Sequence, residues 1–574
     1  MANRNSESRF ASVPRAEIRR ARFKRDFANI TTINEGDLVP LYVDEVLPGD
    51  TISCTLRGLI RMATPLYPVM DNCYLDTYAF FVPCRLLWDH WENLMGQNDS
   101  TYWAEKTEYS VPQTTAPTGG WNVGTIADYM GIPTGVENIK VNSMPFRAYA
   151  RIWNEWFRDE NLQQPVVQDT DDTNDTGSNT GTELTDAEHG GLPLKVAKYH
   201  DYFTSCLPEP QKGEASTVPV DLSQAIIPVT AVQGVTFNSE TALHWVNAGT
   251  KDFTPGGTNY DIRYLGVVAN KTTPGAQGTT VWGTSSNTSA DSDFSQNGDR
   301  FDKNLSLAPG NLMGHMSSET PVGITINELR QAIALQHILE ADARGGTRYT
   351  EILQHQFGVT SPDARLQRSE YLGGTRVPIN INQVIQQSAT SDTSPQGNTA
   401  AYSMTTMSNK MCSYSAVEHG YLVVLGCIRV QHSYQQGLSR MWTRKNRFDF
   451  YHPMLANLGE MAVLNQEIFA QGNAQDTEVF GYQEPWADYR YHPSIVTGEM
   501  RSTYAQTLDA WHYGDHYEEL PKLSSDWIKE GTENIDRTLA VQSENSHQFI
   551  ADFYFDQTWT RPMPIYGVPG LSSI

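Results

Sequence analysis

The chain is short of basic residues and cysteines and has no long apolar run, and each shortage removes a class of function. Lys and Arg number 42 against 66 Asp and Glu, a formal net charge of −24. Gripping nucleic acid over a whole surface takes roughly one cation per phosphate neutralised, so any contact with DNA must be local, where basic residues cluster. Six cysteines (Cys54, Cys73, Cys84, Cys206, Cys412, Cys427) are scattered with no Cys-x-x-Cys pair. With no apolar leader at the N-terminus, that predicts buried free thiols and folding in a cytoplasm. The longest apolar run, Tyr421 to Val430, has the length of a strand and is broken by Gly426 and Arg429, so no membrane insertion is expected. There is no Gly-Lys dipeptide and hence no P-loop, and neither Gly-x-Ser-x-Gly nor His-Glu-x-x-His occurs. His512 and His516 stand four apart near Asp515, but Trp511, Tyr513, Gly514 and Tyr517 make a poor helix for a metal pair. No metal, cofactor or catalytic residue is expected, and the chain is read as a protein that is not an enzyme.

What the chain does have is material for a core and for loops. Apolar residues make up 39% and aromatics 10%, and 43 Gly and 30 Pro lean towards strands joined by long excursions. Ile52, Cys54 and Leu56 alternate with Ser53, Thr55 and Arg57, the period of a half-buried strand. Residues 50–82 read as two long strands, Glu418 to Gln431 as a buried one. Phe549, Phe553 and Phe555 face away from Asp552, Tyr554 and Asp556 in a further strand. Arg85 to Leu94 and Met144 to Leu162 read as helices, the second with an aromatic face that belongs in a core. Thr325 and Glu328 form a capping box ahead of an apolar face (Leu329, Ala332, Ile333, Leu335, Leu339), and Gly345-Gly346 ends that helix. A second short helix is expected over about 349–357. Residues 166–190, acidic and without Lys or Arg, are expected to be an exposed loop. Residues 214–322, with candidate strands at 225–232, 241–246 and 262–268, are expected to be a surface elaboration.

Four basic groups are candidates for contacts with other molecules. Residues 1–27 read as a basic arm, with Arg15, Arg19, Arg20, Arg22, Lys24 and Arg25 facing DNA or neighbouring subunits. Arg440, Trp442, Arg444, Lys445 and Arg447 interleave cations with rings, as single-stranded DNA requires. The alternative makes Trp442, Phe448 and Phe450 core and pairs the cations with carboxylates at a subunit contact. Arg344, Arg348, Arg365 and Arg368 lie on turns beside carboxylates, which suits networks between elements or chains. Arg561, Pro562, Met563 and Pro564 belong to a stiff tail suited to lying across a neighbour or around its own subunit.

Several long blocks, all in order, carry a resemblance. They include Pro40-Leu-Tyr-Val-Asp-Glu-Val-Leu-Pro-Gly-Asp50, Ala63-Thr-Pro-Leu-Tyr-Pro-Val-Met-Asp-Asn72 and Asp201-Tyr-Phe-Thr-Ser-Cys-Leu-Pro-Glu-Pro-Gln-Lys-Gly213. Further blocks are Phe357-Gly-Val-Thr-Ser-Pro-Asp-Ala-Arg-Leu-Gln-Arg-Ser-Glu-Tyr-Leu-Gly-Gly374, Tyr434-Gln-Gln-Gly-Leu-Ser-Arg-Met-Trp442 and Arg561-Pro-Met-Pro-Ile-Tyr-Gly-Val-Pro-Gly570. Together they resemble the major capsid proteins of the gokushovirus branch of the Microviridae, bacteriophages with circular single-stranded DNA. The resemblance runs from about Arg22 to Leu571, with gaps near 165–195 and 214–322. It implies a mainly β fold: a single eight-stranded antiparallel viral jelly roll with very long loop insertions containing some helices. Residues 28–574 would form that domain, with insertions at 166–195 (acidic loop) and 214–322. It implies about sixty copies in a T=1 icosahedral shell around the genome, a virion location and assembly in the bacterial host cytoplasm. The second insertion, with Gln277, Trp282 and Asn287, would be a threefold protrusion meeting a host-cell receptor. Implied partners are a small basic internal DNA-binding protein, a minor or pilot protein and a scaffolding protein. Two other readings are a phage spike or receptor-binding protein, and a β-rich carbohydrate-binding protein.

Overall fold

The computed structural model describes residues 19–95, 108–213, 367–385, 387, 396–397 and 399–566. It also describes the helix Ile326–Gly345 and six short strands between Val229 and Gly314. The chain divides into one unit of residues 1–214 with 338–574 and a second of residues 215–337.

The first unit is built on antiparallel sheets. Its two main sheets start from β1 (Ala21–Lys24), β2 (Phe27–Ile33), β3 (Val39–Val46), β4 (Thr51–Met62) and β5 (Cys73–Pro83). After long excursions come β6 (Glu370–Pro378), β7 (Thr405–Ser415), β8 (Gly420–Val430) and β9 (Phe549–Arg561). In one sheet β9 pairs with β4 on one side and with β1 and β2, end to end, on the other, while β7 extends the sheet beyond β4. The other sheet runs β6-β5-β8-β3.

Alternation places the core between them. Ile52, Cys54, Leu56 and Ile60 of β4 and Phe549, Ala551, Phe553 and Phe555 of β9 meet Leu75 and Phe81 of β5 and Leu422, Val424 and Ile428 of β8. Each fully buried Phe contributes about 1.5–3 kcal/mol. The intervening residues of β9, Ile550, Asp552 and Tyr554, face water.

The strand β8 is apolar at nearly every position because both its faces are covered. Tyr421, Val423, Leu425 and Cys427 point away from the first core, into a second built with Phe146, Tyr149, Ile152 and Trp153. Those belong to helix α1 (Met144–Ile152) and the wide turn Trp153–Phe157 after it. The Tyr149 hydroxyl donates to the Leu38 carbonyl (2.8 Å) and the Trp153 indole to the Lys195 carbonyl (3.0 Å), tying both ring edges down.

Several expectations need correction. Arg85–Leu94 is not one helix but two single turns, Cys84–Leu86 and Trp91–Leu94. The helix expected to Leu162 ends at Arg158, whose backbone is extended. Arg22, Lys24 and Arg25 are not part of a free arm, since residues 21–24 run along β9 as β1. Residues 166–190 are less exposed than their composition implies: Val166, Asp186, Ala187 and Glu188 are buried. Val166 and Ala187 pack into the second core, and Arg147 of α1, 1% exposed, lies 3.8 Å from both Asp171 and Asp175 and donates to the carbonyls of Leu87 and Asp171. The cation that the loop lacks comes from a helix earlier in the chain.

In the second unit, antiparallel pairs join Val229–Ala231 to Leu312–Gly314, Trp245–Asn247 to Leu307–Pro309 and Leu265–Ala269 to Thr280–Thr284. Trp282 sits in the last, opposite Val267; Gln277 and Asn287 lie outside the described residues. The helix α2 (Ile326–Gly345), which begins in this unit and ends in the first, has the expected limits, but Leu329, Ile333 and Leu335 of its apolar face are exposed. The short helix expected near 349–357 falls outside the described residues. Among the described residues no helix is long and apolar enough to cross a membrane.

Candidate assembly and nucleic-acid surfaces

The basic residues near the N-terminus sit along one edge of β9. Arg20 donates to the Gly49 carbonyl and the Thr51 hydroxyl, and Arg22 to the Thr558 hydroxyl at 3.4 Å. Lys24 pairs with Asp26 (2.9 Å) and Arg25 with Asp44 (2.6 Å). Arg19, Arg20, Arg22 and Lys24 remain exposed, and Arg15 lies outside the described residues. Arg25 and Arg561 both lie over the Trp559 ring, at 4.9 and 4.4 Å, which fixes the end of β9 by cation–π attraction. Arg561 also meets Asp50 (3.1 Å) and the Glu45 carbonyl (2.7 Å), while Pro562 is half-buried and Met563 and Pro564 are exposed.

The stretch Arg440–Tyr451 divides in a way neither sequence reading captured whole. Two of its cations serve the subunit itself: Arg440 donates to the Ala462 carbonyl (2.9 Å) near Glu467, and Arg444 pairs with Asp488 and lies 4.3 Å over Tyr489. Its rings are not core. Trp442, Phe448 and Phe450 are exposed, together with Lys445 and Arg447.

Of the turn arginines, Arg344 joins Glu460 (2.5 Å) and Glu484 (3.4 Å), and Arg368 stacks 5.0 Å over Trp156. Arg348 and Arg365 lie outside the described residues. The paired histidines do not converge: His512 is extended and spends its ring on the Met500 carbonyl and the Gly514 N–H. Among the described residues no cluster of His, Cys, Asp and Glu could hold a metal ion.

Two buried polar clusters went unread in the sequence, because their members are hundreds of residues apart. Asp76 of β5 accepts from Arg376, Arg429, Tyr78 and Tyr199. Burial alone would raise its carboxyl, but the arginines outweigh burial and hold it below the usual range. In the second, the His432 ring lies between Asp515 (2.8 Å) and Glu530 (3.1 Å), with Lys198 3.6 Å from Asp515. Glu35 is buried beside them, and burial, then the charge of Glu530, raises its carboxyl well above the ordinary value. The first cluster ties β5, β6 and β8 to Tyr199, and the second, with Glu35 accepting from the Ile535 N–H, joins the β8–β9 excursion to the β2–β3 turn. Both clusters link segments that lie far apart in the chain.

A subunit of two antiparallel sheets with enormous loops and uncovered apolar and cationic surface is what a shell protein needs. A sequence profile of the capsid protein (F protein) family matches residues 11–571. The chain belongs to that family. Among relatives, it is 43% identical over 562 residues to the capsid protein VP1 of Spiroplasma virus 4, covering 97% of this chain and 96% of that one. It is 42% identical over 573 residues to the capsid protein VP1 of Bdellovibrio phage phiMH2K, covering 99% and 98%. The capsid protein VP1 of Chlamydia phage 1 is 40% identical over 602 residues, again covering 99% and 98%. The family resemblance read from the sequence blocks is thereby borne out, since these matches span nearly the whole chain.

Proposed function

We propose that this capsid-family chain is the major coat protein of a small single-stranded DNA phage, and that about sixty copies close a T=1 icosahedral shell around the circular genome. The observation that carries this reading is the family membership over nearly the whole chain. Strand order supports a single jelly roll: β2-β9-β4-β7 in one sheet and β3-β8-β5-β6 in the other use every long strand once. From β2 to β5 and again from β7 to β9, successive strands alternate between the sheets. That winding is what two interlocked Greek keys produce. The exposed cations near β1 and on residues 440–447 are the available phosphate contacts. With a net charge of −24 the coat leaves most of the genome's charge to a small basic internal protein. The 215–337 unit is read as the protrusion that meets the host receptor. Scaffolding and pilot proteins complete the partners, and assembly takes place in the host cytoplasm.

The test is electron microscopy with mass measurement of the chain expressed together with its small phage partners. Icosahedral particles roughly 25–30 nm across are expected for sixty such subunits. Soluble trimers alone would favour a spike, and a stable monomer a carbohydrate-binding module.

A further inference from the structure

Between Arg440 and Leu458 the subunit leaves six large apolar side chains uncovered: Met441, Trp442, Phe448, Phe450, Met454 and Leu458. Trp442 and Phe448 are each 70% exposed and Met454 85%. Apolar surface concentrated this way marks an interaction site. The segment holding it is fixed in shape. It winds through three tight turns, Arg440–Trp442, Arg447–Asp449 and Pro453–Leu455. Asp449 accepts from the N–H groups of Lys445 and Asn446, and the buried Trp486 indole donates to the Leu455 carbonyl at 2.9 Å. A surface already ordered loses little entropy on docking.

We infer that this lobe seats on a second copy of the chain, resting on the shell-forming role proposed above and naming one of its faces. Three observations favour a protein partner over DNA. Arg440 and Arg444 are spent on Glu467 and Asp488, and Asp449 offsets one of the two exposed cations, Lys445 and Arg447. Phosphate binding requires cations in excess. Met441, Met454 and Leu458 offer no planar face to a base, whereas Met beside aromatics and Arg is the composition of protein interfaces. The small positive surplus of the lobe also complements a partner whose net charge is −24.

The test compares wild type with the double variant Trp442→Ala/Phe448→Ala, with Met454→Ser and with Lys445→Ala/Arg447→Ala, each expressed with the phage partners. Thermal unfolding of the subunits is expected to stay within about 2 °C of wild type, since these side chains do little for their own subunit. Particle yield is expected to fall about tenfold or more for the two apolar variants and less for the charge variant. Apolar variants that assemble at wild-type yield overturn the inference. If their particles then carry less DNA, the lobe is a base-stacking surface instead. Should wild type itself form no shell, the proposed function fails separately. Sedimentation equilibrium then still reads the contact: weaker self-association of the apolar variants supports it, and equal association overturns it.

Discussion

Replacing His432 by glutamine removes the cation that bridges two buried carboxylates, Asp515 and Glu530, and the structure sets both the size and the pH dependence of the effect. The side chain is 2% exposed, with Nδ1 2.8 Å from Asp515 and Nε2 3.1 Å from Glu530. Burial works against its protonation, but the charges of Asp515 and Glu530 outweigh burial and raise it well above 6.5. The stability this contributes is therefore whole below about pH 6.5 and is lost as pH rises through the folded value. Glu35, raised by burial and then by Glu530, acts in the same direction: its contribution is whole below about pH 4.5 and fades as pH rises through its folded value. Asp515 runs the other way. Burial would raise it, but His432 and Lys198 pull it well below 3.8, so its contribution persists above that value and is lost only in strong acid. Wild-type stability should consequently decline as pH rises above about 6.5 and through the folded value of His432. Glutamine can bridge one carboxylate without neutralising either, so the variant should lose about 3–5 kcal/mol near pH 6, with the gap narrowing as pH passes that folded value. Urea denaturation of the dissociated subunit, followed by tryptophan fluorescence, measures both. A pH-independent wild type, or a gap below about 1 kcal/mol at pH 6, would refute the reasoning.

Phe553→Ala empties a fully buried site between the sheets and should cost about 3–5 kcal/mol by the same urea measurement, with the fold retained. Arg147→Met removes the counter-charge of Asp171 and Asp175; because Asp171 reaches water, the cost should be about 1–3 kcal/mol, and limited proteolysis should open new cleavage sites within 166–190. Gly437→Ala would bring a Cβ to 2.0 Å from the Glu467 carbonyl oxygen, so the backbone must move, and a loss above about 2 kcal/mol should appear as a lower melting temperature.

The strands most legible in the sequence were those whose two faces differ. β4 and β9 alternate because one face meets the core and the other water, and the buried run of β8 declared itself by its length and by apolar residues interrupted only at Gly426 and Arg429. The limits of α2 were legible too, from a capping box and a glycine pair. Its apolar face was not, since periodicity reports that a face is apolar without saying whether anything covers it. The aromatic lobe failed for the same reason: rings among arginines read alike as core, as a stacking surface or as an interface. The acidic loop misled because composition is counted locally, whereas Arg147 supplies its charge from an α-helix that lies outside the window.

By itself, then, the sequence determined the family, through long blocks in fixed order, and the local alternation that makes strands. Only the tertiary structure decided the partners of those strands and of the buried charges. Phe555 lies opposite Leu56, and Asp76 reaches Arg376 and Arg429. Such contacts depend on chain separations of hundreds of residues, for which no local periodicity carries information.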